Sequence, residues 1–272
     1  MICRSLFITV SYNNTKVTEC YINSWRKLTH SEENFLIIVD NSKKEDVLLQ
    51  ENIKQYKNIY YLRQSENKGY MAGCNFGLEY AKNILGIKCD SIIYTNNDIT
   101  FETADFIERV NCKFEHALEL AVIAPSIWDI NENKELNPFM LKRPSLRRFK
   151  IMKAIYTLYV TAKLVDWISK HRPRKKKILP SPETAIYAPH GSIFILRGSL
   201  FYDYAPDDSY FLYGEEISVA EQCVVMNKKI EIDSNIIIYH HSHATTGGGL
   251  SLFTYKAKKN AINYLMTRYT WC

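Results

Sequence analysis

The sequence predicts an α/β fold in which helices flank a mostly parallel sheet, and three observations lead to this prediction. Short apolar runs alternate with windows in which apolar residues recur at helical spacing, the pattern of parallel strands joined by crossover helices. The 272 residues, 46% hydrophobic and 24% charged, suffice for one large domain with a substantial core. Several apolar runs end in polar side chains, most clearly 91–98, which closes with Asn96, Asn97 and Asp98. Because ligands of open α/β sheets gather at the carboxyl ends of strands, we expect a site there.

The first part of the chain has the pattern strand, helix, strand, helix, strand. Apolar runs predict strands over 6–10, 35–39 and 59–62, and helical spacing predicts helices over 17–28 and 44–56. The second run is apolar on both faces, as buried parallel strands are, and it ends in Asp40, Asn41 and Ser42. We therefore expect Asp40 at the carboxyl edge of the sheet.

A glycine-rich segment over 67–77 opens the next helix, which we expect to run to about Asn83. Its glycines, Gly69, Gly73 and Gly77, recur at intervals of four. Glycine permits close approach of the backbone to a ligand or to a neighbouring element, and the spacing alone favours neither. The segment is not a Walker loop, because no Gly-Lys-Ser/Thr follows, and it lacks the GxGxxG dinucleotide motif.

The rest of the chain continues the alternation of strands and helices. After the strand that leads to Asp98 we predict a helix over 103–117, a strand over 120–124 that stops at Pro125, a loop over 129–147 and an amphipathic helix over 149–169. We then predict a strand over 193–196, a helix over 217–226, short strands over 230–233 and 236–239, and a helix over 255–269. No repeat or clear linker divides the chain, so we expect a single domain with an inserted helical arm.

Basic residues are concentrated in a basic arm over 142–177, although the net charge of the whole chain is only +6. One acid, Asp166, opposes thirteen cations: Lys142, Arg143, Arg147, Arg148, Lys150, Lys153, Lys163, Lys170, Arg172, Arg174, Lys175, Lys176 and Lys177. The arm suggests a polyanionic partner such as anionic lipid or a phosphorylated substrate. Only the arm argues for nucleic-acid binding, which we do not expect. Aromatic and aliphatic residues beside lysines resemble an interfacial membrane helix. A solvated basic helix packed on its own domain explains the pattern equally well.

The cysteines indicate a reducing compartment. All seven are scattered and none forms a CxxC pair, which favours free thiols over a disulfide framework or a zinc site. We expect no signal peptide, because the apolar run after Arg4 is short, and no membrane span, because no window approaches eighteen apolar residues. The sequence therefore predicts a cytoplasmic protein.

Five motifs in chain order resemble those of an inverting family 2 glycosyltransferase with the Rossmann-like GT-A fold. They are Asp40-Asn41-Ser42 after a buried strand, Asn67-x-Gly69-Tyr70-x-x-Gly73-x-Asn75-x-Gly77, Asn96-x-Asp98 after another strand, Gly214-Glu215-Glu216 opening a helix, and Tyr239-His240. Each motif alone is weak, but the five cover nearly the whole chain in the family's order and roughly its spacing. The resemblance is to members, including rhamnosyltransferases, that build bacterial capsule, O-antigen or related surface polysaccharides.

The resemblance implies a cleft for a nucleotide-sugar donor, with a UDP- or dTDP-linked sugar expected. Asp40 would accept the N3–H of uracil or thymine, although from the residues alone it could equally cap the following turn. Asn67, Gly69 and Gly73 would line the cleft near the ribose or pyrophosphate.

The resemblance also implies a divalent cation, Mn²⁺ or Mg²⁺. Asn96 and Asp98 match the family's metal-binding DxD position, with Asn in place of the first acid, and His240 matches its metal-binding histidine. The cation would complete its shell with substrate phosphates and neutralise the leaving diphosphate. From the residues alone, Asp98 could also be a strand-end acid that hydrogen-bonds within its own loop. His241 and His243 follow closely, and because neighbours on a strand face opposite ways, His241 would face away from His240.

The family's general base is the second acid of a Glu-Asp pair at a helix start, which makes Glu216 the expected base and Glu215 the alternative. Glu216 is one methylene longer than the usual Asp, and Ser218 stands where the family has another acid. Two acids at a helix N-terminus are also what the helix dipole favours without any catalysis. The segment His190-Gly191 is expected to help shape the acceptor side.

The resulting hypothesis is a glycosyltransferase that moves a sugar with inversion onto a glycan or a polyprenyl-diphosphate-linked glycan. Residues 1–100 would form the nucleotide-sugar half, 101–250 the acceptor and catalytic half, and 251–272 a C-terminal helix. The protein would be cytoplasmic or peripheral on the inner face of the cell membrane, with the basic arm meeting anionic lipid. The rivals are a non-catalytic nucleotide-sugar or polyanion binding protein and a nucleotidyltransferase; the latter normally needs a basic phosphate loop after the first strand, which 11–14 lacks.

Overall fold

A mixed sheet of ten strands forms the centre of the protein in the computed structural model, which describes residues 1–171, 180–242 and 250–271. The strands are β1 (Ile2–Ser11), β2 (Phe35–Asp40), β3 (Ile59–Arg63), β4 (Lys88–Asn96), β5 (Ile99–Phe101), β6 (Leu120–Asp129), β7 (Lys134–Glu135), β8 (Ala185–Ile186), β9 (Ile193–Arg197) and β10 (Lys229–His240). Their order along the sheet is β3-β2-β1-β4-β9-β6-β10-β5, with β7 on β6 and β8 on β10.

Helices connect the strands and pack on the sheet. Those in the described parts of the chain are α1 (Thr15–Trp25), α2 (Val47–Ile53), α3 (Tyr70–Asn83), α4 (Phe106–His116), α5 (Leu146–Ile155), α6 (Tyr159–His171), α7 (Gly198–Phe201), α8 (Glu215–Val225) and α9 (Leu252–Arg268). None of these helices is long and apolar enough to cross a membrane.

The core lies on both faces of the sheet, because alternate residues of a strand face opposite ways. On β2, Ile37 belongs to a cluster with Leu78 of α3, whereas Ile38 belongs to a cluster with Trp25 of α1. Both isoleucines are fully buried, which explains why this strand reads as an uninterrupted apolar run.

The predicted α/β fold is confirmed, with a sheet that is more mixed than expected. β1, β2, β3 and β4 pair in parallel, so that Ser11 lies opposite Asp40 and Val10 opposite Asn96 at one edge. β9 runs antiparallel between β4 and β6, while β10 is parallel to β6. The carboxyl ends of the parallel strands and the segment before β9 therefore meet at the same edge.

β1 begins at Ile2 rather than at residue 6, and the predictions for β6 and β10 are wrong in extent. β6 does not stop at Pro125 but continues to Asp129, and β10 is one strand rather than two short ones. The deviations of β6 and β10 have a common cause, because the β10 register shifts between Asp233 and Ile237, where Asp233 lies opposite Pro125. A strand tolerates proline at such an irregularity, where a ladder hydrogen bond is already missing.

The amphipathic helix predicted over 149–169 is instead two helices, α5 and α6, separated by residues 156–158. Tyr255 of α9 donates its hydroxyl to Tyr156 O and Thr157 O, both at 3.0 Å, and Lys259 Nζ donates to Thr157 O at 3.2 Å. Because α9 supplies donors to carbonyls that a continuous helix would pair internally, the interruption leaves them satisfied. The basic stretch 172–177 lies outside the described residues.

Candidate active site

The carboxyl edge of the sheet brings together the residues after β4, before β9 and at the end of β10. The chain turns back directly after Asp98 into β5, a strand that the sequence did not predict, and β5 pairs antiparallel with β10 so that Ile99 lies opposite His240. His241 N donates to Asp98 O at 2.8 Å, and Asn96 N donates to Ser192 O at 2.9 Å. These pairings place His240 and residues 190–192 next to the Asn96–Asp98 motif.

Asp98, His240 and Asp129 form a buried row. His240 Nε2 lies 3.3 Å from Asp98 Oδ1, and His240 Nδ1 lies 3.5 Å from Asp129 Oδ2. Burial lowers the pKa of His240, but the adjacent carboxylates of Asp98 and Asp129 outweigh this effect and raise it above the usual 6.5. Burial also disfavours the charged form of Asp129, yet donors from Glu132 N, Ser242 and His240 hold its pKa below the usual range.

Asp129 is a residue of this edge that the sequence did not single out. The strand was expected to end at Pro125, which left Asp129 in a presumed loop. The available signal was the run Ile127-Trp128-Asp129 beyond the proline, another apolar segment that ends in an acid.

The Asp98–His240 pair fits a divalent cation. Asp98 Oδ1 is buried but accepts no well-directed hydrogen bond from the described residues, although the His240 ring is near. Carboxylate oxygen and neutral imidazole nitrogen are both ligands that divalent metals use. Asp129 stands behind the ring at Nδ1, where a carboxylate typically orients a metal-binding histidine. Their roles as metal ligands remain predictions.

The neighbouring polar residues divide between the site and the interior. Asn97 Nδ2 donates to Thr18 Oγ1 at 2.9 Å, so this residue faces α1, while Asn96 is half-buried at the end of β4. His241 Nε2 lies 3.2 Å from Thr100 Oγ1 and is exposed. His243 lies outside the described residues.

The two acids at the start of α8 have different surroundings. Glu215 is buried, and its carboxylate accepts hydrogen bonds from Tyr213 N at 3.1 Å and Gly214 N at 2.7 Å. It therefore fixes the turn that leads into α8. Glu216 is half-buried and faces the segment before β9, where a Cβ built on Gly191 would lie 2.8 Å from Glu216 Oε1. Of the two, Glu216 has the carboxylate directed at the His190-Gly191 segment.

The surroundings of Glu216 favour its protonated form. Burial and then the negative charge of Glu215 raise the pKa of Glu216 to about 8, against the opposing effects of the Gly191 N–H and the Lys258 ammonium. Burial raises the pKa of Glu215 as well. A carboxylate whose pKa lies near neutrality is suited to accept a proton in catalysis.

His190 connects the two parts of the site. Its ring centroid lies 5.9 Å from that of His240 and 6.5 Å from that of Phe139. The backbone is fixed by His190 N donating to Asn137 Oδ1 at 2.8 Å. The segment His190-Gly191 thus touches the Asp98–His240 pair through the histidine and Glu216 through the glycine.

Asp40 is fully buried and occupied by its own loop. Oδ1 accepts from Ser42 N at 2.9 Å, and Oδ2 accepts from Tyr61 Oη at 2.5 Å and Asp46 N at 3.3 Å. Burial and the hydrogen bond to Asp40 raise the pKa of Tyr61, which therefore stays a donor. The arrangement is that of a turn cap, the alternative left open by the sequence; binding of a nucleobase by Asp40 remains a prediction.

The glycine-rich segment makes close contacts within the protein. Asn67 Oδ1 accepts from Gly69 N at 2.9 Å, and Asn41 Nδ2 donates to Gly69 O at 3.2 Å. A Cβ on Gly69 would lie 1.8 Å from Phe211 O, and one on Gly73 would lie 2.9 Å from Val10 Cγ2. These glycines let α3 pack against β1 and against the loop before α8; a role in lining the donor cleft stays a prediction.

Replacing Gly69 with alanine should destabilise the fold through the Phe211 backbone. Gly86 offers a matched control, because it also has positive φ (+61° against +100° for Gly69) but no atom within 4 Å of a built Cβ. We expect Gly69→Ala to lower the free energy of unfolding by about 1–3 kcal/mol more than Gly86→Ala, the usual penalty of overpacking. Urea denaturation of both variants measures the difference, and equal losses would contradict the close contact.

A separate concavity of about 680 Å³ lies at the opposite edge of the sheet. It is lined at the amino end of β4 by Lys88 and Asp90 and at the end of β9 by Arg197. Arg197 Nε donates to Leu120 O at 2.6 Å, so this side chain holds structural carbonyls. The cavity is therefore remote from the strand ends that carry Asp98 and His240.

The mixed sheet with a polar carboxyl edge agrees with the GT-A fold expected from the sequence. The sequence profile of the family "Glycosyl transferase family 2" matches residues 6–194, well over half of the chain, and the protein belongs to this family. The matched residues include Asp40, Asn96 and Asp98, whereas Glu216 and His240 lie beyond them. A comparison with curated protein sequences finds no match.

Solved structures share the fold at low sequence identity. S. aureus TarS 1–349 aligns with a TM-score of 0.58 and 14% identity over 88% of this chain and 60% of its own. GalNAc-T7 with UDP, GalNAc and Mn²⁺ aligns with a TM-score of 0.63 and 14% identity over 96% of this chain and 48% of its own. The mannosyltransferase PcManGT from Pyrobaculum calidifontis with GDP-Man and Mn²⁺ aligns with a TM-score of 0.55 and 12% identity. The alignment covers 96% of this chain and 69% of the mannosyltransferase. The chain thus spans less than two thirds of TarS 1–349 and of GalNAc-T7, and these likenesses establish the fold alone.

Proposed function

We propose that the protein transfers a sugar from a UDP- or dTDP-linked donor to a hydroxyl of a glycan, with inversion at the anomeric carbon. One observation carries this proposal: the Asp98–His240 pair and Glu216 converge on the His190-Gly191 segment at one edge of the sheet. Membership of Glycosyl transferase family 2 supports the reaction class. The UDP, GDP-Man and Mn²⁺ in the titles of the GalNAc-T7 and PcManGT structures support a nucleotide-sugar and a divalent metal.

On the donor side, Asp98 Oδ1 and His240 Nε2 would hold Mn²⁺ or Mg²⁺, which when bound supplies positive charge to the leaving diphosphate. Asp129 would keep His240 oriented and its Nε2 directed at Asp98. For His240 to act as a ligand, its ring must be neutral, so metal and proton compete for Nε2.

On the acceptor side, Glu216 would take the proton of the attacking hydroxyl. Inversion in one step requires the base and the leaving group on opposite faces of the sugar, which a site with separate acid and metal positions allows. The Gly191 N–H hydrogen-bonds to Glu216 and favours its ionised form, while the buried surroundings make it a stronger base than an exposed carboxylate.

The proposed acceptor is a glycan or a polyprenyl-diphosphate-linked glycan in the synthesis of a bacterial surface polysaccharide, handled at the inner face of the cell membrane. This part rests on the order of the five motifs and on the reducing compartment indicated by the cysteines. All six cysteines in the described parts of the chain are unpaired. The nucleotide-binding residues proposed for the donor are Asp40, Asn67, Gly69, Gly73 and Asn96.

A thermal-shift panel of UDP-, dTDP- and GDP-sugars with and without Mn²⁺ tests the proposal. A donor that binds only the folded protein should stabilise it by about 2.7 kcal/mol at 100 times its Kd, and the gain should depend on Mn²⁺. UDP- or dTDP-sugars should give the largest rise in Tm. Absence of metal-dependent stabilisation by every sugar in the panel would refute a metal-dependent transferase, and a response to GDP-sugars alone would overturn the donor assignment.

A further inference from the structure

Helix α6 turns its apolar side away from the protein. Val160, Leu164, Trp167 and Ile168 have 75%, 56%, 57% and 39% of their surface exposed, and we call them the outer face of α6. Residues three and four apart lie on one side of a helix, so these four form one continuous stripe. Four large apolar side chains on one exposed stripe are unusual for a surface helix.

The opposite side of α6 is the one that packs on the protein. Ala162 is 2% exposed in a cluster with Leu250 and Tyr255, and Tyr159 donates its hydroxyl to Leu250 O at 3.0 Å. At 100° per residue, Ala162 lies well over a quarter turn from each residue of the outer face. In the described parts of the chain, the fold therefore contacts α6 through Ala162 and Tyr159 and leaves the apolar stripe exposed. This arrangement differs from the alternative considered from the sequence, a basic helix that buries its apolar side on its own domain.

The two helices of the arm, α5 and α6, also carry exposed cations. Arg147, Arg148, Lys150 and Lys153 of α5 and Lys163 of α6 are all exposed, while the acid of this region, Asp166, is half-buried. An apolar stripe with cations beside it complements a surface that is apolar inside and negative outside.

We propose that the outer face of α6 docks on an anionic lipid membrane, with the stripe at the level of the acyl chains and the cations of α5 and α6 at the headgroups. The thirteen residues of α6 are too few to span a bilayer, so the helix would lie in the plane of the surface. This surface goes beyond sugar transfer, and its test does not depend on that activity.

The docking surface is linked to the candidate active site through α9. Tyr255 of α9 packs on α6, and further along the same helix Ala261 and Leu265 lie 3.5 and 3.4 Å from a Cβ built on Gly214, directly before α8. Docking through α6 would therefore hold Glu216 at a set height above the membrane, where a lipid-linked acceptor would present its sugar.

Vesicle flotation tests the proposal with the whole chain and two double variants. The wild type should bind vesicles of phosphatidylglycerol and phosphatidylcholine at low salt, bind phosphatidylcholine alone weakly, and be released as salt is raised. L164Q/W167Q should reduce the partition coefficient roughly tenfold or more, since burying one large apolar side chain is worth about that factor. The control L118Q/V225Q changes residues that are also 73% and 79% exposed but lie elsewhere, in the loop after α4 and at the end of α8, and it should bind like the wild type.

Tryptophan emission adds a local readout. Trp25 and Trp271 are buried and Trp128 is half-buried on β6 of the central sheet, so a blue shift on adding anionic vesicles should come chiefly from Trp167 and be lost in W167F. Three results would overturn the proposal: a wild type that stays fully soluble with anionic vesicles at low salt, equal binding by L164Q/W167Q, or a dimer in sedimentation that L164Q/W167Q separates. The last result would assign the outer face to a second copy of the chain. Donor-induced stabilisation measured without vesicles should be unchanged in L164Q/W167Q, which separates this test from that of the proposed activity.

Discussion

Replacing Glu216 with glutamine is expected to reduce sugar transfer by about 10²–10⁴-fold, the usual contribution of a positioned general base, while donor binding is retained. Glutamine keeps the size of the side chain and its place beside Gly191 but cannot accept the acceptor proton. Turnover with a soluble acceptor and donor-induced thermal stabilisation are the two measurements. Full activity of Glu216→Gln would favour a non-catalytic binding protein.

The variant Glu215→Gln distinguishes the roles of the two acids at the start of α8. Because the Glu215 carboxylate holds the turn that leads into α8, its loss should lower stability, but Glu216 should still act as the base. The base works when ionised, and the pKa of Glu216 is raised, so activity should increase as pH rises through that pKa rather than level off near pH 5. Removing the Glu215 charge should lower the pKa of Glu216 and move this rise to lower pH. Loss of turnover in Glu215→Gln but not in Glu216→Gln would make Glu215 the base.

Replacing Asp98 with asparagine is expected to abolish Mn²⁺-dependent stabilisation by the donor and to reduce turnover by roughly 10²-fold or more, because a bound metal supplies several kcal/mol to the leaving group. The amide removes the charge at Oδ1, the atom that faces His240 Nε2. Thermal shifts with nucleotide-sugar in Mn²⁺ and in chelator measure the loss.

Asp90→Asn is the matched control, since Asp90 is an exposed acid at the other end of the same strand, β4. It should leave both the metal effect and the turnover unchanged. Metal-dependent stabilisation that persists in Asp98→Asn would remove Asp98 from the metal site and leave the strand end as a loop contact.

The sequence allowed most of the architecture to be predicted, because buried strands and amphipathic helices carry local periodic signals. The sequence also identified Asp98, Glu216 and His240 as candidate site residues, but through the resemblance to a family rather than through any local pattern. The pairing of His240 with Asp98 depends on β5, three residues whose strand character comes from contact with β10. Asp129 was missed because a proline such as Pro125 usually ends a strand, and the irregularity of β10 that accommodates it is not visible in the sequence.

The surroundings of other residues could not be read from the sequence. An acid after a buried strand serves equally as a turn cap or as a ligand, and only the donors from Ser42, Asp46 and Tyr61 show how Asp40 is occupied. The break between α5 and α6 was also not predictable from the local sequence. The donors to its free carbonyls come from Tyr255 and Lys259, about a hundred residues further along the chain.

The position of β9 between β4 and β6 sets the order in which the sheet can be completed during synthesis. Until residues from Ile193 onward leave the ribosome, the apolar β4 has an open edge, a template for unwanted pairing with another chain. At 5–20 residues per second this interval lasts on the order of ten seconds. The first hundred residues therefore do not constitute a finished folding unit, and a nascent chain arrested before β9 should be prone to aggregate.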